Sequence, residues 1–193
     1  MPSRDETVSG LLVRMGEDDA GAVQELFEQQ KAPLMRLFYG LTRCFTRAED
    51  LVQSTFIALW RYRQNYKGRG SAHAYVYRVA VNQWRRENAR ERRSREAFRE
   101  FAPTRETELV QDADDSLERA ESRNEVWRAI DSLPEAQRET FVLHRFEEMS
   151  CPQIAQVLDK SVKTVESRLR LALEKLTEKL QKREHVEKRE RLR

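Results

Sequence analysis

Tyr75, Asn82, Arg86 and Arg93 share one face if residues 72–95 form a helix. At about 100° per residue they fall within about 40° of one another, with Arg78 and Arg85 on the flank. Together they offer a ring for stacking, an amide for hydrogen bonding and guanidinium groups for phosphates, which is the equipment that single-stranded nucleic acid needs. The preceding Lys67-Gly68-Arg69-Gly70-Ser71 breaks the helical pattern and adds Lys67 and Arg69 in a basic loop. The plainer alternative is an Arg-rich helix kept for solubility, which does not account for a ring and an amide in register.

A second set lies near the other end of the chain. Lys163, Ser167 and Arg170 project together from the start of a helix beginning at Val162, with Thr164 and Arg168 beside them. A short capped helix through Ile154, Ala155 and Leu158 comes before it, and Asp159-Lys160-Ser161 turns the chain between the two. That is the pattern of a helix-turn-helix, whose second helix meets base edges and phosphates in the major groove. Nothing comparable points to catalysis or a cofactor. The chain has no phosphate-binding glycine loop and no nucleophile with a base beside it. His73, His144 and His185 are scattered, and Asp112, Asp114 and Asp115 lack a partner histidine.

The elements that hold these residues read as helices. Asp18 and Asp19 start one with Ala22, Val23, Leu26 and Phe27, which Pro33 kinks or restarts before Leu34, Leu37, Phe38 and Leu41. Thr46 and Glu49 have capping-box spacing, followed by an apolar stripe of Ala48, Leu51, Val52, Thr55, Phe56 and Leu59. Asp50, Gln53, Ile57 and Trp60 lie off or at the edge of that stripe. Tyr77, Ala80, Val81 and Trp84 give the 72–95 helix its core side. Later, Leu117, Val126, Ile130 and Leu133 suggest a helix, and Ser132-Leu133-Pro134-Glu135 starts another with Phe141, Val142 and Phe146. Ser150-Cys151-Pro152-Gln153 repeats the cap, and Val165, Leu169, Ala172, Leu173, Leu176 and Leu180 face inward on the last helix.

The chain has 193 residues, 36% charged and 39% hydrophobic, with only six Gly and five Pro, which excludes a turn-rich β fold. Its net charge of +3 conceals a basic block: residues 61–99 carry +9, while residues 100–125 carry −6. A concentrated basic block predicts a polyanionic partner. The acidic stretch reads as a flexible linker. The expectation is therefore an all-α protein of two small domains, 15–97 and 122–180, joined by residues 98–121 and followed by a charged tail, 181–193. Two distant cysteines, Cys44 and Cys151, and no apolar run of about 18 residues point to a cytoplasmic protein with no membrane segment.

Three segments resemble one family. They are Ala48-Glu49-Asp50-Leu51-Val52-Gln53 with Phe56 and Trp60; Tyr75-Val76-Tyr77-Arg78-Val79-Ala80-Val81-Asn82 with the arginines after it; and Leu133-Pro134 leading to Ile154-Ala155 and Thr164-Val165-Glu166-Ser167-Arg168-Leu169. In this order and spacing the chain resembles the extracytoplasmic-function sigma factors of bacterial RNA polymerase, from about Asp19 to Leu180. The resemblance implies that Asp50, Gln53, Phe56 and Trp60 grip the coiled coil of the largest (beta-prime) polymerase subunit. It implies that Lys67, Arg69, Tyr75, Arg78, Asn82, Arg85, Arg86 and Arg93 serve the minus-ten element, and Lys163, Thr164, Ser167, Arg168 and Arg170 the minus-thirty-five element. Core polymerase (through beta-prime and the beta flap), promoter DNA and an anti-sigma protein are the implied partners of a chain that is monomeric when free. The chain departs from the family pattern at Glu166 and Leu171, which leave its recognition helix less basic. A stand-alone regulator that binds an operator as a dimer, through the 4-3-4 spacing of Leu169, Leu173, Leu176 and Leu180, is the alternative.

Overall fold

A computed structural model describes residues 3–68, 70–97 and 117–190, and all its regular elements are helical. They are α1 (Arg4–Gly16), α2 (Ala20–Thr42), α3 (Phe45–Arg61), a 3-10 turn (Arg63–Asn65), α4 (Ala72–Ala97), α5 (Leu117–Asp131), α6 (Glu135–Phe146), α7 (Cys151–Leu158) and α8 (Val162–Glu190). Arg69 and residues 98–116, which make up most of the expected linker, lie outside the described residues.

The first four helices pack around Leu26, Leu37, Phe38, Leu51, Leu59, Tyr77, Val81 and Trp84, all of them buried. The apolar stripes expected on α2, α3 and α4 are the ones the core uses. Helix α1 lies outside the expected boundary at residue 15. It forms because Ser3 and Glu6 make a capping box and Val8, Leu11, Leu12 and Met15 supply an apolar face at helical spacing. Asp19 caps α2 by accepting from the Gly21 and Ala22 amides. Pro33 does not interrupt that helix: it is buried between apolar turns on either side, and their burial outweighs the lost backbone bond.

Two expected caps are not made. Helix α3 begins two residues earlier, after Cys44, with no side-chain cap, and the Thr42 hydroxyl at the end of α2 accepts from the Cys44 amide in the corner between the helices. Before α6 the Ser132 hydroxyl instead donates back to the Ala129 carbonyl, closing the end of α5. The third cap is made, with the Gln153 side chain accepting from the Ser150 amide at the start of α7. Leu173, expected on the inward side, is 47% exposed, and Val126 of α5 is exposed as well. Helix α8 continues through residues 181–190 of the charged tail.

The second domain, α5 to α8, packs directly on the first. Val142, Leu143, Ile154 and Leu158 share one continuous core with the α2 and α4 side chains. Gly40 permits the closest approach: a Cβ there would lie 2.9 Å from Val142 Cγ1. Polar contacts border that core. Arg43, in the left-handed conformation at the end of α2, lies with its guanidinium 4.6 Å from the Tyr39 ring and 3.7 Å from the Trp127 ring. Trp127 also stacks on Phe146. Tyr77 donates to Glu147, and Asn88 donates to Glu135 at 2.7 Å.

Candidate nucleic-acid interface

Helix α4 positions the largest group of expected site residues. Its core side, Tyr77, Ala80, Val81 and Trp84, is fully buried, which fixes the helix's rotation. Arg47 of α3 locks the register by pairing with Glu87 at 3.2 Å and Glu91 at 2.9 Å. The opposite face therefore presents Arg78, Asn82, Arg86 and Arg93 to solvent. Tyr75 is half-buried: its ring leans on Tyr66 at 5.2 Å, and the Arg78 guanidinium lies 5.7 Å from it. Burial pushes the Tyr75 phenol above its ordinary pKa, with Arg78 acting in the opposite direction, so at neutral pH the ring is an uncharged stacking surface beside a cation.

The loop before α4 turns through Gly68 and Gly70, whose φ values of +67° and +76° suit glycine. Lys67 is exposed there. Arg85, expected on the same nucleic-acid face, is instead engaged within the protein. Its Nε and Nη2 donate to the two carboxylate oxygens of Glu139 in α6, each at 2.6 Å. Glu139 is 2% exposed, and its hydrogen bonds raise the Arg85 pKa against the opposing effect of burial.

On α3, Asp50 and Gln53 are exposed and Trp60 is half-buried, with the Arg63 guanidinium 4.4 Å from its ring. Phe56 is placed differently. It is 7% exposed and meets the Phe27 ring edge-on at 4.9 Å, so it supports the helix from beneath. Ile57, one turn after Gln53, is 58% exposed on the face that Phe56 does not reach.

In the second domain α7 and α8 are joined by Asp159 in the left-handed conformation, with the Lys160 amide bonded to the Ala155 carbonyl. Ile154, Ala155 and Val165 hold the crossing. Lys163, Ser167 and Arg170 are exposed along the first turns of α8, although Arg170 pairs with Glu174 at 2.6 Å. Thr164 is half-buried and its hydroxyl bonds to Ser161, so it helps to start the helix. Arg168 is half-buried at the side. Sequence reasoning missed the second domain's acidic contacts, Glu139 and Glu147, because charged residues in a helix read as solvated until a partner buries them.

Known proteins resemble the chain over most of its length. Residues 26–94 match the family model of Sigma-70 region 2, and residues 123–176 match that of Sigma-70, region 4. The RNA polymerase sigma-H factor of Pseudomonas aeruginosa is 30% identical across 89% of this chain and 92% of its own length. The ECF RNA polymerase sigma-E factor of Escherichia coli K12 is 30% identical across 68% of this chain and 73% of its own. Among solved structures, CnrH in complex with the cytosolic domain of CnrY has the same fold, with a TM-score of 0.68 and 23% identity over 91% of this chain and 97% of that one. With α2–α4 matching region 2 and α5–α8 matching region 4, the chain belongs to the extracytoplasmic-function sigma factors, through which bacterial RNA polymerase recognises promoters and initiates transcription.

Proposed function

We propose that the outer face of α4 captures an unstacked base of the minus-ten element, that the start of α8 reads the minus-thirty-five element, and that the exposed face of α3 grips the beta-prime coiled coil. The observation that carries this reading is the placement of Asn82 in solvent on the same helix face as Arg78, Arg86 and the half-buried Tyr75 ring. Drawing a base from the stack costs a few kcal/mol, which stacking and backbone cations can offset. Lys67 extends the cationic track, and Arg69 belongs to the same loop by sequence. Lys163, Ser167 and Arg170, with Arg168 at the side, supply phosphate and base-edge contacts in the major groove.

On this reading the chain itself catalyses nothing and works in the cytoplasm, where its polymerase is. Among the described residues, no helix is long and apolar enough to cross a membrane. An anti-sigma protein that covers the polymerase-binding surfaces is the regulator the reading calls for. The dimeric-operator alternative needs Leu169, Leu173, Leu176 and Leu180 as a seam. Leu176 is buried against the second domain's own core and Leu169 and Leu180 pack beside it, which leaves Leu173 alone of the four facing out.

Run-off transcription with core polymerase tests the proposal, using promoter fragments from the chain's own genome. Discrete transcripts that require this chain are expected, and either Asn82→Ala or Asp50→Arg should abolish them. Core polymerase that neither binds the chain nor gains promoter selectivity would sink the reading.

A further inference from the structure

Helix α1 makes polar contacts on both sides of the Gly68–Gly70 turn, one of them at the base of α4. After the turn, Asp5 Oδ1 accepts from both the Ser71 hydroxyl and the His73 amide at 2.9 Å. Ser71 in turn accepts from the Ala74 amide at 3.1 Å. One carboxylate thus satisfies an otherwise orphan donor in the first turn of α4 and places a negative charge at the positive end of that helix. Before the turn, the hydroxyls of Ser9 and Tyr66 share a hydrogen bond of 2.9 Å. Tyr66 is buried, and its ring is the surface on which Tyr75 leans. Asp5 and Ser9 are four residues apart, hence one turn apart on the same side of α1. The packing of Val8, Leu12 and Met15 into the core holds α1 against the first domain.

We infer that Asp5 and Tyr66 are positioning residues for minus-ten recognition: α1 fixes both ends of the basic loop and the tilt of Tyr75, and so sets the shape of the base-capture site. This rests on the α4 face being that site. Neither residue is required to touch DNA. Asp5 acts through Ser71 and His73, and Tyr66 acts through Tyr75. A displacement of about 1 Å in such a site is enough to cost binding selectivity.

The test uses holoenzyme reconstituted from core polymerase and the full chain. The probe is the most strongly transcribed fragment of the chain's own genome, together with its single-base substitutions in the minus-ten element. The readout is the ratio of initiation on the parent fragment to that on its substituted versions. Asp5→Ala should lower this ratio at least fivefold with core affinity unchanged, and Asp5→Asn, which keeps an acceptor oxygen, should restore most of it. A merely structural defect reduces the active fraction on every fragment alike and leaves the ratio where it was. An unchanged ratio in Asp5→Ala therefore overturns the inference. If Asp5→Ala loses helicity, Tyr66→Phe removes one hydroxyl and keeps the ring, and an unchanged ratio there overturns the inference equally. Absence of minus-ten discrimination in the wild-type holoenzyme would instead refute the assignment of the α4 face.

Discussion

Arg85 and Glu139 form a two-point pair between the domains, with both bonds at 2.6 Å and the carboxylate almost fully buried. Glu139 neutralises this guanidinium and takes two of its N–H donors, so domain closure would compete with the phosphate contact proposed for Arg85. Distance sets a second conflict. Elements about 25 base pairs apart lie roughly 85 Å apart along B-form DNA, whereas a compact chain of this length has a radius of gyration of about 16 Å. The two proposed DNA faces reach both elements only when the domains separate, and the roughly 20 peptide steps from Ala97 to Leu117 span up to about 70 Å. Glu139→Gln is accordingly expected to raise the radius of gyration in small-angle scattering and to tighten duplex binding several-fold at low salt. Gly40→Ala should open the domains with no change of charge, because its Cβ meets Val142, and Val142→Ala should close them again. No change in either quantity for Glu139→Gln would show that the pair does not govern closure.

The sequence discloses what repeats at helical spacing and what caps with its own side chains. The α4 stripe, the Ser150 and Gln153 cap and the α7–turn–α8 geometry are all legible for that reason. Helix α1 carries the same signals in Ser3, Glu6, Val8, Leu11, Leu12 and Met15, yet it stands before the Asp18-Asp19 start signal and escapes a reading that opens there. The domain interface is not legible, since Glu139 and Glu147 pair with arginines of distant helices and Arg43 is covered by Trp127 of α5 as well as by its neighbour Tyr39. Phe56 carries two signals at once: its place in the motif suggests a contact, while its place in the stripe puts it largely under the surface.

That difference yields a separation of effects along α3. Asp50→Arg and Ile57→Asp alter exposed positions and should leave thermal stability within about 0.5 kcal/mol of wild type while weakening core polymerase binding at least tenfold. Phe56→Ala removes a buried ring packed against Phe27, which typically costs about 3–5 kcal/mol. Its melting temperature should fall sharply, and any binding it loses should track the unfolded fraction. Isothermal titration with core polymerase beside a thermal melt distinguishes the two. Weak binding by fully folded Phe56→Ala would argue for a direct contact.

Acid should act on the α1–α2 corner through Asp19. A hydrogen bond from Arg14 lowers this carboxyl's pKa below its ordinary value, with the Ala22 and Gly21 amides acting in the same direction and desolvation opposing them. A carboxyl with a depressed folded pKa contributes stability that is present above its unfolded pKa and lost as pH falls through the folded one. The contribution should thus be intact at neutral pH and disappear below about pH 4. Asp19→Asn should lower the neutral-pH melting temperature and flatten its fall between about pH 5 and pH 2. Identical pH profiles for the variant and wild type would mean that the corner gains nothing from the charge.

Helix α8 offers two kinds of cation, and salt dependence separates them. Lys163 stands exposed to solvent in the first turn, whereas Arg170 is paired with Glu174 across one turn. An exposed pair of this type is worth only a few tenths of a kcal/mol, so a phosphate can displace Glu174 easily. Lys163→Ala should weaken holoenzyme binding to the upstream element about equally on all sequences. It should also reduce the salt slope by roughly 0.9, the signature of one phosphate left unneutralised. Glu174→Gln should strengthen binding slightly and steepen the slope, because Arg170 no longer has a competing carboxylate. Ser167→Ala belongs to the other class: if its hydroxyl reads a base edge as proposed, removing it should change the preference at one position and leave the salt slope unaltered. Fluorescence anisotropy on labelled upstream duplexes across a salt series reads all three. A Lys163→Ala slope equal to that of wild type would place the phosphate track on a different face of α8.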